Sequence, residues 1–364
     1  MPSWPVDLPV LAVVLGMLAA VLLLRGSPRL GSHRGRGVGA CLLAMSMAAY
    51  LNAYFAYLPQ VGDLAGPRPW PVASIQSVSD TAYPAAVALR PAVTKRPRGG
   101  VVSLPLAGPV SRVRTRDALV YLPPQYFTDP ARRFPVLYLL HGSPGVPLDW
   151  FRGGEAAVAG LASAATGRPV ILVAPRMSTG WLADSECIDG PALHAESYLV
   201  DDVVPEVDRR LRTLPAADDR GLLGNSAGGF CALTIGLRHP RVFSRVAALS
   251  PLTSPSYSYG SLADLFGHPA HLSDVVAEHT PGWLLAHRPE SRRVQLWLDV
   301  GDVDGVRQDV MRLAALDSRF GGHPRLVVRE GGHTYQVWRP ALADAVRWFA
   351  RGSLITAAAN GSRP

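Results

Sequence analysis

The chain has 364 residues, a formal net charge of +8 at pH 7 and three cysteines. That length holds one large α/β domain with additions, whereas three cysteines are too few for a disulfide-built scaffold and show no metal-ligand spacing. The positive charge comes without a Lys/Arg block or a nucleic-acid motif, which argues against a nucleic-acid partner and fits a basic surface near anionic lipid.

Hydrophobic residues make up 48% and charged residues 18%, a balance that points to membrane segments beside a globular part. Residues 8–24 and 37–58 are both free of charge. Each is near the length a helix needs to cross a bilayer. Arg25, Arg29, Arg34 and Arg36 lie between them, and only Asp7 is charged before them. The positive-inside rule makes the Arg-rich connector cytoplasmic, so residues 1–58 are expected to form a two-helix transmembrane hairpin with everything later outside the cytoplasm. A cleaved signal peptide is the alternative. The missing basic n-region and the second apolar run speak against it. Tyr50, Tyr54 and Tyr57 suit interfacial anchoring.

Residues 59–98 are rich in Pro, Ala and Arg and sustain no period, which predicts an extended linker. From residue 99 to 352 the pattern becomes that of a folded domain. Residues 101–104 and 117–122 read as short strands. Residues 134–140 and 169–174 are continuous apolar runs, as in strands covered on both faces. Further strands are predicted at 222–223, 246–249, 294–300 and 325–328, and helices at 198–211, 306–316 and 340–349. In the 198–211 helix, Leu199, Val203, Val207 and Leu211 share one face, with Asp201, Asp202, Asp208 and Arg209 opposite. This alternation predicts a mostly parallel central sheet covered by helices on both faces. Residues 353–364 are small and polar, and a flexible tail is expected.

The chemistry centres on Gly224-Asn225-Ser226-Ala227-Gly228-Gly229. Strand, then G-x-S-x-G, then helix is a nucleophile elbow, in which a tight turn isolates the serine hydroxyl at a helix start. In a chain with 35 glycines the bare pattern is weak, and the strand–turn–helix context makes it specific. A serine nucleophile needs a base, and the base needs a carboxylate to orient it. Of ten histidines, only His333 sits directly beyond a predicted strand end after the serine. The acid should follow the penultimate strand, where Asp302 and Asp304 are both candidates and either could instead cap the next helix. Asp317 lies further along. Two oxyanion donors are expected: the amide of Ala227, and that of Ser143 in the His141-Gly142-Ser143 loop. His141 reads as a structural loop residue.

Leu139-Leu140-His141-Gly142, the Gly224–Gly229 elbow, the Gly301–Asp304 turn and Gly331-Gly332-His333-Thr334-Tyr335-Gln336-Val337-Trp338 together resemble the esterase D group of α/β-hydrolases. That group includes feruloyl-esterase-like enzymes and the mycolyltransferases. The likeness spans roughly residues 100 to 350 and implies an α/β-hydrolase fold. In feruloyl-esterase-like members the acid ends a Gly-x-x-Asp turn, which implies Asp304 and leaves Asp302 as the alternative. The mycolyltransferases carry a glutamate there, which this chain lacks.

The expected function is a membrane-anchored, extracytoplasmic serine esterase acting on a carboxylic ester through an acyl-enzyme, without metal or organic cofactor. The competing readings are an acyltransferase that uses a lipid or cell-envelope acceptor, and a non-catalytic binding protein on the same scaffold. Cys187, in the loop after the 169–174 strand, and Cys231, five residues past Ser226, fall at the same end of such a sheet, so a disulfide between them is expected.

Overall fold

A computed structural model describes residues 14, 16–21, 33–55, 73–74, 98–152, 155–180, 183–258 and 260–360. The N-terminal unit contains helical residues 14 and 16–21 and a helix over His33–Phe55. A side chain at Gly16 would collide with Ser46 Oγ, so the two helical segments meet there. The transmembrane expectation needs correction on two counts. Among the described residues, no helix is long and apolar enough to cross a membrane. The second helix also starts at His33 and takes in Arg34 and Arg36, which the hairpin expectation places in the connector. Most of the 8–24 segment lies outside the described residues.

The second unit is built on a nine-stranded sheet: β1 Ala73–Ser74, β2 Gly100–Gly108, β3 Val113–Leu122, β4 Val136–Leu140, β5 Ile171–Ala174, β6 Arg220–Asn225, β7 Arg245–Leu249, β8 Gln295–Gly301 and β9 Arg325–Arg329. Their spatial order is β1-β2-β3-β5-β4-β6-β7-β8-β9. From β5 to β9 all neighbours are parallel, while β3 is antiparallel to both β2 and β5. Every residue of β4 through β7 is buried, as the unbroken apolar runs require of strands covered by helices on both faces. This is the α/β-hydrolase arrangement. β1 pairs in parallel with β2, so two residues of the predicted linker extend the sheet edge.

Two helices depart from expectation. The predicted 198–211 helix is interrupted: a helical turn at Ala195–Ser197 leads into a π-helical segment, Tyr198–Val203, and then an α-helix, Val204–Arg210. Leu199, Val203, Val207 and Leu211 are buried as predicted. Asp202 is not on a solvent face. It is buried and accepts hydrogen bonds from Val110 N, Ser111 N and the Ser111 hydroxyl at 2.9, 2.9 and 2.6 Å. The wider π turn rotates the residues within it out of the 3.6 period and turns Asp202 toward the β2–β3 connection. The last helix runs over Tyr335–Asn360, with Pro340 inside it, and not only over 340–349. The expected flexible tail is therefore helical to Asn360, as suits a segment containing three consecutive alanines and no proline before 364.

Candidate active site

β6 enters the elbow, and the helix Ala227–Arg238 leaves it. Between them Ser226 has φ 55° and ψ −125°. L-residues adopt such a conformation only under constraint, at a cost of about 1–3 kcal/mol. The flanking glycines are required sterically. A Cβ on Gly224 would stand 1.9 Å from the Gly228 carbonyl oxygen, and one on Gly228 would stand 2.1 Å from that of Leu140. The elbow helix thus lies directly against the end of β4, and Ser226 N donates to Leu249 O at the end of β7 (2.9 Å).

Three predicted site residues come together here. His333 Nε2 is 2.9 Å from Ser226 Oγ. His333 Nδ1 is 3.0 and 3.2 Å from the two carboxylate oxygens of Asp304. The imidazole is one-third exposed and the Asp304 carboxylate is buried. Burial raises the affinity of the Asp304 carboxyl for a proton. Hydrogen bonds from His333 and the Ser250 hydroxyl, the His333 charge and the Val306 amide oppose this, and together they hold the group below its ordinary value.

Asp302 takes a different place. It is exposed, and its Oδ1 accepts the Gly331 amide at 2.9 Å, so it fastens the loop that carries His333. The Arg307–Arg319 helix has no side-chain cap at its N-cap residue, Val306, so neither aspartate caps it; Asp304 Oδ1 accepts the Val306 amide at 3.1 Å in the turn before it. Asp317 lies buried near the end of the Arg307–Arg319 helix.

Ala227 is the first residue of the elbow helix. On the other side of the serine, a Cβ on Gly142 would lie 3.5 Å from Ser226 Cβ, which brings the segment preceding Ser143 against the nucleophile. His141 is buried. Its Nε2 accepts from Met177 N (3.2 Å), so Nδ1–H donates to Gly142 O (2.9 Å). Burial lowers its proton affinity. It is a neutral loop brace and does not face Ser226 as a second base.

Cys187 and Cys231 form a disulfide, with Cα atoms 5.2 Å apart. It ties the loop after β5 to the second turn of the elbow helix. The residue before it, Glu186, is buried with φ 44°. Burial, then the charge of Asp184 and a hydrogen bond to it, push its carboxyl up to about 9, against a smaller pull from the Ser256 backbone. At the other end of the elbow helix, buried Glu196 accepts from Arg238 Nε (2.7 Å) and pairs with His239 Nε2 (2.6 Å). His239 therefore has a carboxylate partner as well as its place at a helix terminus.

Sequence reasoning assigned no role to Ser250, Trp338 or Glu186. Ser250 had a signal: it is the first residue beyond a parallel strand, as His333 nearly is. Trp338 stands in the quoted motif around His333. Glu186 had no signal, because a lone Glu in a polar loop gives no sign of burial.

A model of the Esterase family matches residues 112–349. The chain belongs to this family. It is a serine hydrolase of carboxylic esters. An uncharacterised protein of Corynebacterium glutamicum is 28% identical over 326 residues, 85% of this chain and 74% of that one. A ferulic acid esterase of known structure superposes with a TM-score of 0.62 at 25% identity, covering 70% of this chain and 98% of its own. An S-formylglutathione hydrolase from Staphylococcus aureus gives 0.57 at 19% identity, covering 69% and 98%. Both structural likenesses cover an extent like that of the sheet domain, and the second is evidence of fold alone. In this esterase the family match contains the elbow, both candidate acids and His333.

Proposed function

We propose that the protein cleaves a carboxylic ester outside the cytoplasm by a two-step acyl transfer, with Ser226 as nucleophile, His333 as base and Asp304 as the orienting acid. The observation that carries this reading is the unbroken hydrogen-bond chain from Ser226 Oγ through both ring nitrogens of His333 to Asp304. Ser226 Oγ attacks the ester carbonyl while His333 Nε2 takes its proton. Asp304 holds the ring in the Nδ1–H tautomer and stabilises the imidazolium that forms. The amides of Ala227 and Ser143 receive the oxyanion, and one such donor contributes roughly 3 kcal/mol. His333 then returns its proton to the leaving alcohol. Water, activated by the same imidazole, resolves the acyl-enzyme.

The first turn of the elbow helix aligns backbone N–H groups with the developing negative charge, so the stabilising field is built in before the reaction starts. The carbonyl class of the related ferulic acid esterase, an ester of an aromatic acid, is the substrate class to test first.

We also propose that the N-terminal helices hold the enzyme at a membrane. Val14, Met17, Leu18, Val21, Leu43, Met45, Met47 and Tyr50 are exposed apolar side chains concentrated on those two segments. Such a concentration in water would be an association liability, and lipid contact removes it. The Cys187–Cys231 bridge suits an oxidising compartment.

The test is direct. Wild-type protein should turn over short aryl esters and be labelled covalently by a fluorophosphonate. Ser226→Ala should lose both while keeping its melting temperature within a few degrees. Ester turnover surviving in that variant at more than a trace would overturn the assignment. Adding an alcohol acceptor and analysing products separates hydrolysis from acyl transfer: free acid as the sole product supports the esterase reading, and a new ester supports transfer.

A further inference from the structure

We infer that Ser250 and Trp338 are positioning residues for the acid–base pair, forming a second hydrogen-bond chain that meets the first at Asp304. This inference rests on the catalytic roles proposed above. Ser250 stands just past β7, fully buried, with φ 47°. Its amide is held by Asp299 O at 2.7 Å. Its hydroxyl oxygen accepts from the indole Nε1–H of Trp338 at 3.0 Å. The same hydroxyl donates to the Asp304 carboxylate.

The direction of this chain is set by chemistry. An indole nitrogen can only donate. Trp338 therefore occupies an acceptor position on Ser250 Oγ and leaves the hydroxyl proton free for the carboxylate. A lone serine could rotate that proton toward any nearby acceptor. Held by the indole, it has one good orientation.

The indole has a second contact. Trp338 meets the His333 ring edge to face, with centroids 4.9 Å apart and planes at 86°, an arrangement favoured between aromatic rings. One buried side chain thus supports both members of the pair, the imidazole through its ring and the carboxylate through Ser250. Trp338 can do so because it sits on the helix Tyr335–Asn360, which begins two residues after His333. Asp304 is then fixed from three directions: His333 Nδ1, the Val306 amide at 3.1 Å and the Ser250 hydroxyl. A carboxylate with three donors has little freedom to leave the plane in which it orients the imidazole.

The left-handed conformation of Ser250 fits this role. A non-glycine residue with positive φ is held there by its surroundings. At this position the strain places a hydroxyl, which glycine would lack, at the one point between Trp338 and Asp304.

The test compares Ser250→Ala, Trp338→Phe and the double variant by steady-state kinetics on an aryl ester and by the rate of fluorophosphonate labelling. Each hydrogen bond removed is of ordinary strength, so Ser250→Ala should lower kcat and the labelling rate about ten-fold. KM should not change, because neither residue faces substrate. Trp338→Phe keeps a ring against His333 but loses the N–H, and should cost about three- to ten-fold. The double variant should be no slower than Ser250→Ala, since the indole acts on the carboxylate only through the hydroxyl. Three results would each overturn the inference: kcat within two-fold of wild type in folded Ser250→Ala, KM rising in step with the loss of kcat, or losses that multiply in the double variant. Should Ser250→Ala fold poorly, Ser250→Gly tolerates the positive φ and removes the same hydroxyl. Failure of the catalytic reading itself would look different, since wild-type protein would then take no fluorophosphonate label at all.

Discussion

Two carboxylates two residues apart, Asp302 and Asp304, differ in what they touch. Asp304 faces His333 Nδ1, whereas Asp302 accepts the Gly331 amide. Asp304→Asn can no longer stabilise an imidazolium, and turnover should fall roughly ten-thousand-fold, in line with the loss when a triad carboxylate becomes an amide. Asp302→Asn retains an oxygen that can accept from Gly331, so its turnover should stay within about three-fold of wild type. Equal losses in kcat/KM would move the acid to Asp302. Glu186 makes the opposite electrostatic case. Its folded value of about 9 lies above the ordinary 4.5, so the folded state holds a proton that the unfolded state has released. The native state binds more protons between these two values, and stability therefore falls as pH rises from about 4.5 to 9. Glu186→Gln keeps the shape without the ionisation. It should leave the melting temperature near that of wild type at pH 4 and raise it by several degrees at pH 9. Parallel melting curves across that range would show that Glu186 has no such cost.

Elements explain which parts of the fold could be read in advance. The buried strands β4, β6, β7 and β8 were legible because strands covered on both faces need unbroken apolar runs, and they are joined to their neighbours by five parallel pairings. The elbow was legible because its sterics demand glycine at two fixed positions. Gly228→Ala should test that directly. Its methyl group would be forced onto the Leu140 carbonyl oxygen, and the helix cannot withdraw without moving Ser226. A loss of about 2 kcal/mol or more in chemical denaturation, together with slower turnover, is expected; a variant as stable and active as wild type would show the glycine dispensable. The burial of Asp202 was not legible, because a π turn leaves no mark in a 3.6-residue period. Nor was the helix beyond Gly352, where small residues read as tail although Ala is the best helix former. At the site, Ser226 and His333 followed from strand ends and chain order. Ser250 escaped because a buried serine after a strand has no pattern of its own until Trp338 and Asp304 surround it.

At the scale of the whole molecule, the proposed catalytic residues Ser226, Asp304 and His333, together with Ser250 and the Cys187–Cys231 bridge, all lie in the sheet domain, C-terminal to residue 140. The bridge closes a loop of 44 residues, and chain-entropy arguments put its contribution at about 4 kcal/mol when the native geometry is unstrained. A domain with that bridge should gain most where thiols are oxidised, which is where the proposed topology places it. The topology can be tested by protease accessibility. Between residues 59 and 98, Lys95 and Arg98 are the basic residues not followed directly by proline, so trypsin has few places to cut. Cleavage at Lys95 would remove β1, which contributes only two paired residues at the sheet edge, and would leave β2 through β9 and the site intact. Trypsin added to intact cells should therefore release a soluble fragment that hydrolyses aryl esters and takes a fluorophosphonate label. The same fragment treated with reductant should melt at a lower temperature, because the bridge no longer restricts its unfolded chain. Activity that stays with the cells and becomes trypsin-sensitive only after permeabilisation would place the domain inside and refute the proposed topology.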